Sequence, residues 1–132
     1  MADMTTCTTK EVGDYGEKAA AQYLKAQTFS ILERNYRRKT GEIDIIARRY
    51  QTIHCVEVKT RLCHEFPLGD GSKTYDPSAN LHATKIERIA RTGTWYMAEK
   101  NWNGEWQIDA ILVWVRARDG ATRVSYISQI YD

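Results

Sequence analysis

The chain has 132 residues, 42% of them apolar and 27% charged, with a net charge of +2 at pH 7. That is the length of one domain and the composition of a globular one, so general disorder is excluded, and a chain of this size buries enough surface to fold without disulfides or metals. No apolar run approaches the ~20 residues of a membrane span, and three cysteines without paired spacing, Cys7, Cys55 and Cys63, argue against a disulfide framework. A soluble, cytoplasmic protein with no membrane partner is expected.

Residues 1–12 are polar and threonine-rich and lack a signal peptide's apolar core. They read as a flexible N-terminal segment, and 13–132 as a single domain. Asp14-Tyr15-Gly16-Glu17 reads as a capping box, and 18–28 as the helix it opens, with Ala20, Tyr23 and Leu24 along one side. Residues 29–36 follow as a short strand and 37–41 as a turn. Residues 42–48 alternate, with Ile43, Ile45 and Ala47 on one side and Glu42, Asp44 and Ile46 on the other. Residues 53–59 alternate in the same way: His54, Val56 and Val58 oppose Ile53, Cys55, Glu57 and Lys59. Only residues 49–52 separate the two runs, which predicts an antiparallel hairpin.

Residues 62–81 hold Pro67, Gly69, Gly71 and Pro77 without a clear period, and read equally as a functional or a mobile loop. Residues 83–100 form a second helix, with Ile86, Ile89, Ala90, Gly93 and Met97 at helical spacing. Residues 106–115 are a near-continuous apolar strand interrupted by Asp109, expected to be covered on both faces. Asp119-Gly120 is a turn, and 122–130 a last strand. The second helix is a crossover that lets the third and fourth strands lie parallel. The expected class is α/β, a mixed central sheet flanked by helices.

The charge is uneven. Between residues 34 and 61, Arg34, Arg37, Arg38, Lys39, Arg48, Arg49, Lys59 and Arg61 outnumber Glu42, Asp44 and Glu57, giving +5 and leaving −3 for the remainder. Such a segment suits a face that meets polyanions, and it suits solvated strand edges and turns equally well. Arg37, Arg38 and Lys39 are the turn residues that would meet a nucleic acid.

Glu57 and Lys59 are two apart and share a face of their strand. Asp44 joins them only if paired residue numbers across the hairpin sum to an odd value; 101 makes Asp44 and Glu57 direct neighbours and 99 makes them diagonal. Two neighbouring carboxylates need a cation between them. Lys59 supplies one charge, and Mg²⁺ or Mn²⁺ would supply two, since Mg²⁺ takes oxygen ligands from one or two carboxylates and keeps several waters. A metal held there could polarise a phosphodiester and activate a water. Lys59 could then stabilise charge growing on the phosphate oxygens. The other reading of the same residues is a cross-strand ion pair on a solvated sheet face.

Gly16-Glu17, then Gly41-Glu42-Ile43-Asp44-Ile45-Ile46-Ala47, then Val56-Glu57-Val58-Lys59-Thr60-Arg61, closely resemble the YraN-type family of predicted bacterial endonucleases. That family belongs to the PD-(D/E)XK nuclease superfamily and is similar to archaeal Holliday junction resolvases. The resemblance runs from about residue 13 to the C-terminus and is weak across 62–81. It implies a restriction-endonuclease-like αβββαβ core with an extra C-terminal strand, and a metal-dependent endonuclease acting on DNA, branched or otherwise structured. It also implies that Asp44, Glu57 and the Val58 carbonyl bind the metal, and that Lys59 is the catalytic lysine. Glu17 would approach the metal directly or through water, or else simply belong to the capping box. Thr60 and Arg61 would contact phosphate, and Lys85 would track the DNA backbone with Arg88 and Arg91. Asp109 is expected to be structural. A homodimer is expected if the substrate is a four-way junction, because two symmetric strands need two cuts. The alternative is a binding module that keeps the fold and the basic face without cleaving.

Zinc fits poorly. The spacing of His54, Cys55, Cys63, His64 and His82 matches no common pattern, and His54 and Cys55 point to opposite faces. Among the tryptophans, Trp114 is expected in the core. Trp102 and Trp106 read as partly buried anchors, with stacking on an unpaired base as the other reading.

Overall fold

A computed structural model describes residues 3–68 and 83–130. In chain order the elements are α1 (Thr9–Ala26), β1 (Ser30–Arg38), β2 (Gly41–Arg49), β3 (Thr52–Cys63), α2 (Ala83–Glu99), β4 (Glu105–Arg116) and β5 (Thr122–Ile127). The strands form one sheet in the order β1-β2-β3-β4-β5. Only β3 and β4 are parallel, as the crossover through α2 allows; the other neighbours are antiparallel.

The first helix starts earlier than its sequence suggests. Thr8, not Asp14, is the cap: its hydroxyl accepts from the Glu11 amide at 3.1 Å, and the Glu11 carboxylate accepts from the Thr8 amide at 2.9 Å. Both stretches carry the same capping spacing, and the upstream one wins because it lets Val12 join the buried face. Asp14 lies inside the helix and pairs with Lys10 on its exposed side at 2.8 Å. Glu17 is therefore free of any capping duty. Part of the N-terminal segment is also built into the domain, since residues 9–12 form the first turn and Met4 is 3% exposed in the core.

Each face of the sheet is covered by one helix. Ala20, Ala21 and Leu24 of α1 pack on Ile45, Ala47, Val56, Ile111 and Val113. Ile89, Tyr96 and Met97 of α2 pack on Ile46, Ile53, Cys55 and Ile108. Fully burying each such aliphatic side chain contributes roughly 1.5–3 kcal/mol. Two glycines set how closely the layers approach. A Cβ on Gly16 would lie 1.9 Å from Thr60 Oγ1, and one on Gly93 would lie 2.6 Å from Trp106 Cζ3.

The third strand is longer than its alternation suggests, because Leu62 and Cys63 continue its pairing with β4. Residues 69–81 of the expected loop, and His82, fall outside the described residues. Trp114 is partly rather than fully buried. Among the described residues no helix is long and apolar enough to cross a membrane.

Candidate functional site

The hairpin between β2 and β3 has the odd-parity register. Its pairs run from Arg49–Thr52 to Ile45–Val56, each summing to 101. The next pair would be Asp44–Glu57, but the ladder stops there. Beyond that point β2 continues from Ile43 to Gly41 against β1, and β3 continues from Glu57 to Cys63 against β4. The two strands thus fork, with Asp44 and Glu57 at the crotch. The Val58 amide donates to Asp44 Oδ2 at 2.8 Å, so the carboxylate takes over where the backbone pairing ends.

The simple two-residue alternation of β2 fails at the fork. Ile45 and Ala47 pack in the α1 layer, whereas both Ile43 and Ile46 pack in the α2 layer. Opposite Asp44 on β1, between the pairs Arg34–Ile45 and Tyr36–Ile43, Asn35 adopts a left-handed φ of 53°. Asparagine tolerates that conformation better than most residues. With its amide nitrogen facing the carboxylates, as the surrounding acceptors require, Asn35 donates to Glu17 Oε1 at 3.0 Å and to Glu42 Oε1 at 3.3 Å. The sequence reading overlooks Asn35; the available signal was an asparagine interrupting a strand opposite an acidic residue.

The carboxylates are crowded and partly desolvated. Burial first, then the charge of Glu57, raises the Asp44 carboxyl well above the ordinary carboxylate range. Burial also raises Glu17, with smaller contributions from nearby acids that include Glu42 and Glu57, against a lowering by Arg34. Glu57 itself is 7% exposed. Its counter-ion is not the expected Lys59 but Lys85, from the first turn of α2, whose Nζ lies 2.7 Å from Glu57 Oε1.

Two clefts open along this part of β3. One, of about 460 Å³, is lined by Glu42, Asp44, Glu57, Lys85 and Arg88. The other, of about 680 Å³, is lined by Glu17, Val58, Lys59, Thr60 and Arg61, with residues of α1 on its far side. Lys59 lines this second cleft with Glu17, while its pairing with Leu112, two places on from Glu57 with Ala110, keeps it on Glu57's face of the strand. Thr60 seats beneath Gly16 and fixes α1, and hence Glu17, against β3.

The turn is shorter than expected: Arg37 and Arg38 end β1, pairing with Glu42 and Gly41, and of the three basic residues only Lys39 lies in the turn itself. Arg37 pairs with Glu42 at 3.1 Å on the surface. Arg38 makes two hydrogen bonds to Glu99 and lies 4.3 Å from the centre of the Tyr36 ring. Lys39 is exposed.

Asp109 is structural, as expected. It is fully buried and bonded by His54 at 2.6 Å, Gln107 at 2.7 Å, the Gln129 amide at 2.9 Å and the Tyr126 hydroxyl. Burial alone would raise its pKa, but these bonds outweigh burial and lower it. Cys55 lies on the opposite face, where burial pushes its thiol up to about 12, which suits a core residue and not a thiolate ligand.

Among the described residues no three His, Cys, Asp or Glu side chains gather to hold one ion. Two carboxylates and main-chain oxygen are nonetheless a donor set of the kind that takes Mg²⁺ or Mn²⁺, with water completing the shell. Burial and the neighbouring Glu57, which together raise the Asp44 carboxyl, are costs of ionisation that a bound cation would offset. The residues present therefore fit a divalent ion.

Comparison with known proteins places the chain. A UPF0102 protein of Campylobacter fetus is 39% identical over 101 residues, covering 76% of this chain and 81% of the relative. One of Aliarcobacter butzleri is 36% identical over 106 residues, covering 80% and 87%. One of Clostridium acetobutylicum is 35% identical over 123 residues, covering 92% and 94%. The family model spans residues 16–113, from Gly16-Glu17 through both strand motifs. The chain therefore belongs to the family described as uncharacterised protein family UPF0102, the YraN-type family that its motifs resemble.

Proposed function

We propose that this protein is a divalent-metal-dependent endonuclease that hydrolyses phosphodiester bonds in DNA, with branched or structured DNA as its substrate. The observation that carries the reading is the convergence of Asp44 and Glu57 where β2 and β3 part, with the Val58 main chain tied to Asp44. Asp44, Glu57 and the Val58 carbonyl would hold the ion. A bound Mg²⁺ or Mn²⁺ would supply charge to polarise a phosphate and acidify a water. Glu17 would orient water at the edge of the site, and Asn35 restrains its carboxylate. Lys59 opens on the cleft that Glu17 also lines, where its ammonium can meet phosphate oxygens as charge develops. Arg61 borders the same cleft. Lys39 in the β1–β2 turn and Arg37 near the end of β1 would be further phosphate contacts.

A second reading, a non-cleaving nucleic-acid-binding module, draws on the pairing of Glu57 with Lys85 rather than with Lys59. One experiment separates the two: a labelled panel of single strand, duplex, flap and four-way junction, each with Mg²⁺ and with Mn²⁺. Asp44→Asn and Lys59→Ala proteins, checked for folding, run alongside. Metal-dependent cutting lost in both variants supports the nuclease, and the preferred member names the substrate. Salt-sensitive binding without cutting supports the module. Absence of both leaves a structural ion pair.

A further inference from the structure

We infer that Lys85 is a cation-responsive residue: it occupies Glu57 in the metal-free protein and is released toward a DNA phosphate when a divalent ion takes that carboxylate. The inference rests on the metal-binding reading of Asp44 and Glu57 given above.

The pair is lopsided. The Glu57 side chain is 8% exposed and the Lys85 side chain 44% exposed, at a separation of 2.7 Å. A carboxylate so deeply placed needs a counter-charge, whereas a lysine at the rim has a route to solvent on its four-carbon stem. Lys85 also sits in an unfavourable place for its own helix. It lies in the first turn of α2, where the helix dipole opposes a positive charge, and that turn contains no acidic residue. Glu57 is therefore what holds the ammonium there.

A second cation on Glu57 reverses that balance. Lys85 then faces repulsion from the ion as well as from the helix dipole, and loses the one carboxylate with which it forms an ion pair among the described residues. Arg88, one turn further along α2, lines the same opening. The displaced ammonium would join it at the mouth, where a phosphate would approach. Metal and DNA are then linked: each lowers the cost of binding the other, by the same factor in both directions.

The test uses the full chain as wild type, Lys85→Met and Lys85→Arg, each confirmed folded by circular dichroism. Calorimetric titration with Mn²⁺ alone reads the competition. Removing the lysine is expected to tighten Mn²⁺ binding roughly fivefold, the worth of a partly exposed ion pair, while Lys85→Arg stays close to wild type. Anisotropy of a labelled duplex, with and without Ca²⁺, reads the coupling. Wild-type affinity for DNA is expected to rise with Ca²⁺ by a similar factor more than that of Lys85→Met. Mn²⁺ binding that is unchanged or weaker in Lys85→Met overturns the role of Lys85 while leaving the metal site standing. Binding of Mn²⁺ by neither protein overturns both.

Discussion

Replacing Gly16 by alanine tests how the first helix is seated against the fork. In a free helix the change is favourable by about 1 kcal/mol, because alanine is the better helix former. Here the new Cβ would lie 1.9 Å from Thr60 Oγ1, 2.6 Å from Cγ2 and 2.7 Å from Cβ. Carbon atoms in contact sit ~3.5–4.0 Å apart. Rotating Thr60 moves Oγ1 and Cγ2 but leaves its Cβ in place, so the helix and strand backbones must separate. Overpacking of this kind costs roughly 1–3 kcal/mol, and its severity here places the net change at about 1–2 kcal/mol destabilising after the helical gain. For a chain of this size that lowers the melting temperature by ~4–8 °C. Gly13 provides the control on the same helix: nothing lies within 4 Å of its added Cβ, so Gly13→Ala is expected to raise the melting temperature. Thermal unfolding of both variants reads the difference. Gly16→Ala combined with Thr60→Gly should recover part of the loss, giving a coupling of about 1 kcal/mol or more in a double-mutant cycle. A Gly16→Ala protein that melts higher, in step with Gly13→Ala, would refute the close approach.

Three other perturbations probe the sheet. Asp44→Asn should stabilise the metal-free protein at mildly basic pH by on the order of 1–2 kcal/mol and make no difference near pH 4. The sign follows from burial, the first cause of the raised pKa: the folded chain keeps the Asp44 proton to a higher pH than the unfolded chain, so the wild type loses stability as pH climbs from the ordinary carboxylate range toward the raised value. Melting curves across pH that superimpose for the two proteins would count against it. Asp109→Ala should cost roughly 3–5 kcal/mol in urea unfolding, because His54, Gln107 and Tyr126 lose their shared buried acceptor. Asn35→Ala should be less stable than Asn35→Gly by about 1 kcal/mol, since only glycine accepts a φ of 53° without strain; equal unfolding midpoints would contradict it.

What could be read in advance depended on how local the physics was. The hairpin was legible because two alternating runs lie four residues apart, and the register that pairs Ile45 with Val56 is the odd-parity one that brings Asp44 beside Glu57. The crossover was legible because a helix between two apolar strands has few other solutions. The start of α1 was not, because two stretches carry the same capping spacing and only tertiary burial of Val12 chooses between them. The face that Lys59 shares with Glu57 was legible as well, because β3 keeps an unbroken pairing with β4 from Glu57–Ala110 to Lys59–Leu112. Lys85 lies 28 residues beyond Glu57, and no periodicity of β3 or α2 encodes that 2.7 Å contact.

The parting of β2 from β3 also leaves a liability. From Glu57 to Cys63 the strand is paired by β4 on one side and by no strand among the described residues on the other. A bare strand edge is a template on which another chain can add itself and begin an aggregate. Natural sheets guard such edges with inward charges and lysines, and this one carries Lys59 and Arg61, with Asp44 already holding the Val58 amide. The residues proposed to meet phosphate would therefore also guard against self-association. Replacing them together with alanine would be expected to produce a chain that precipitates on concentration, so any cleavage or binding assay on such a variant must be read alongside its light scattering.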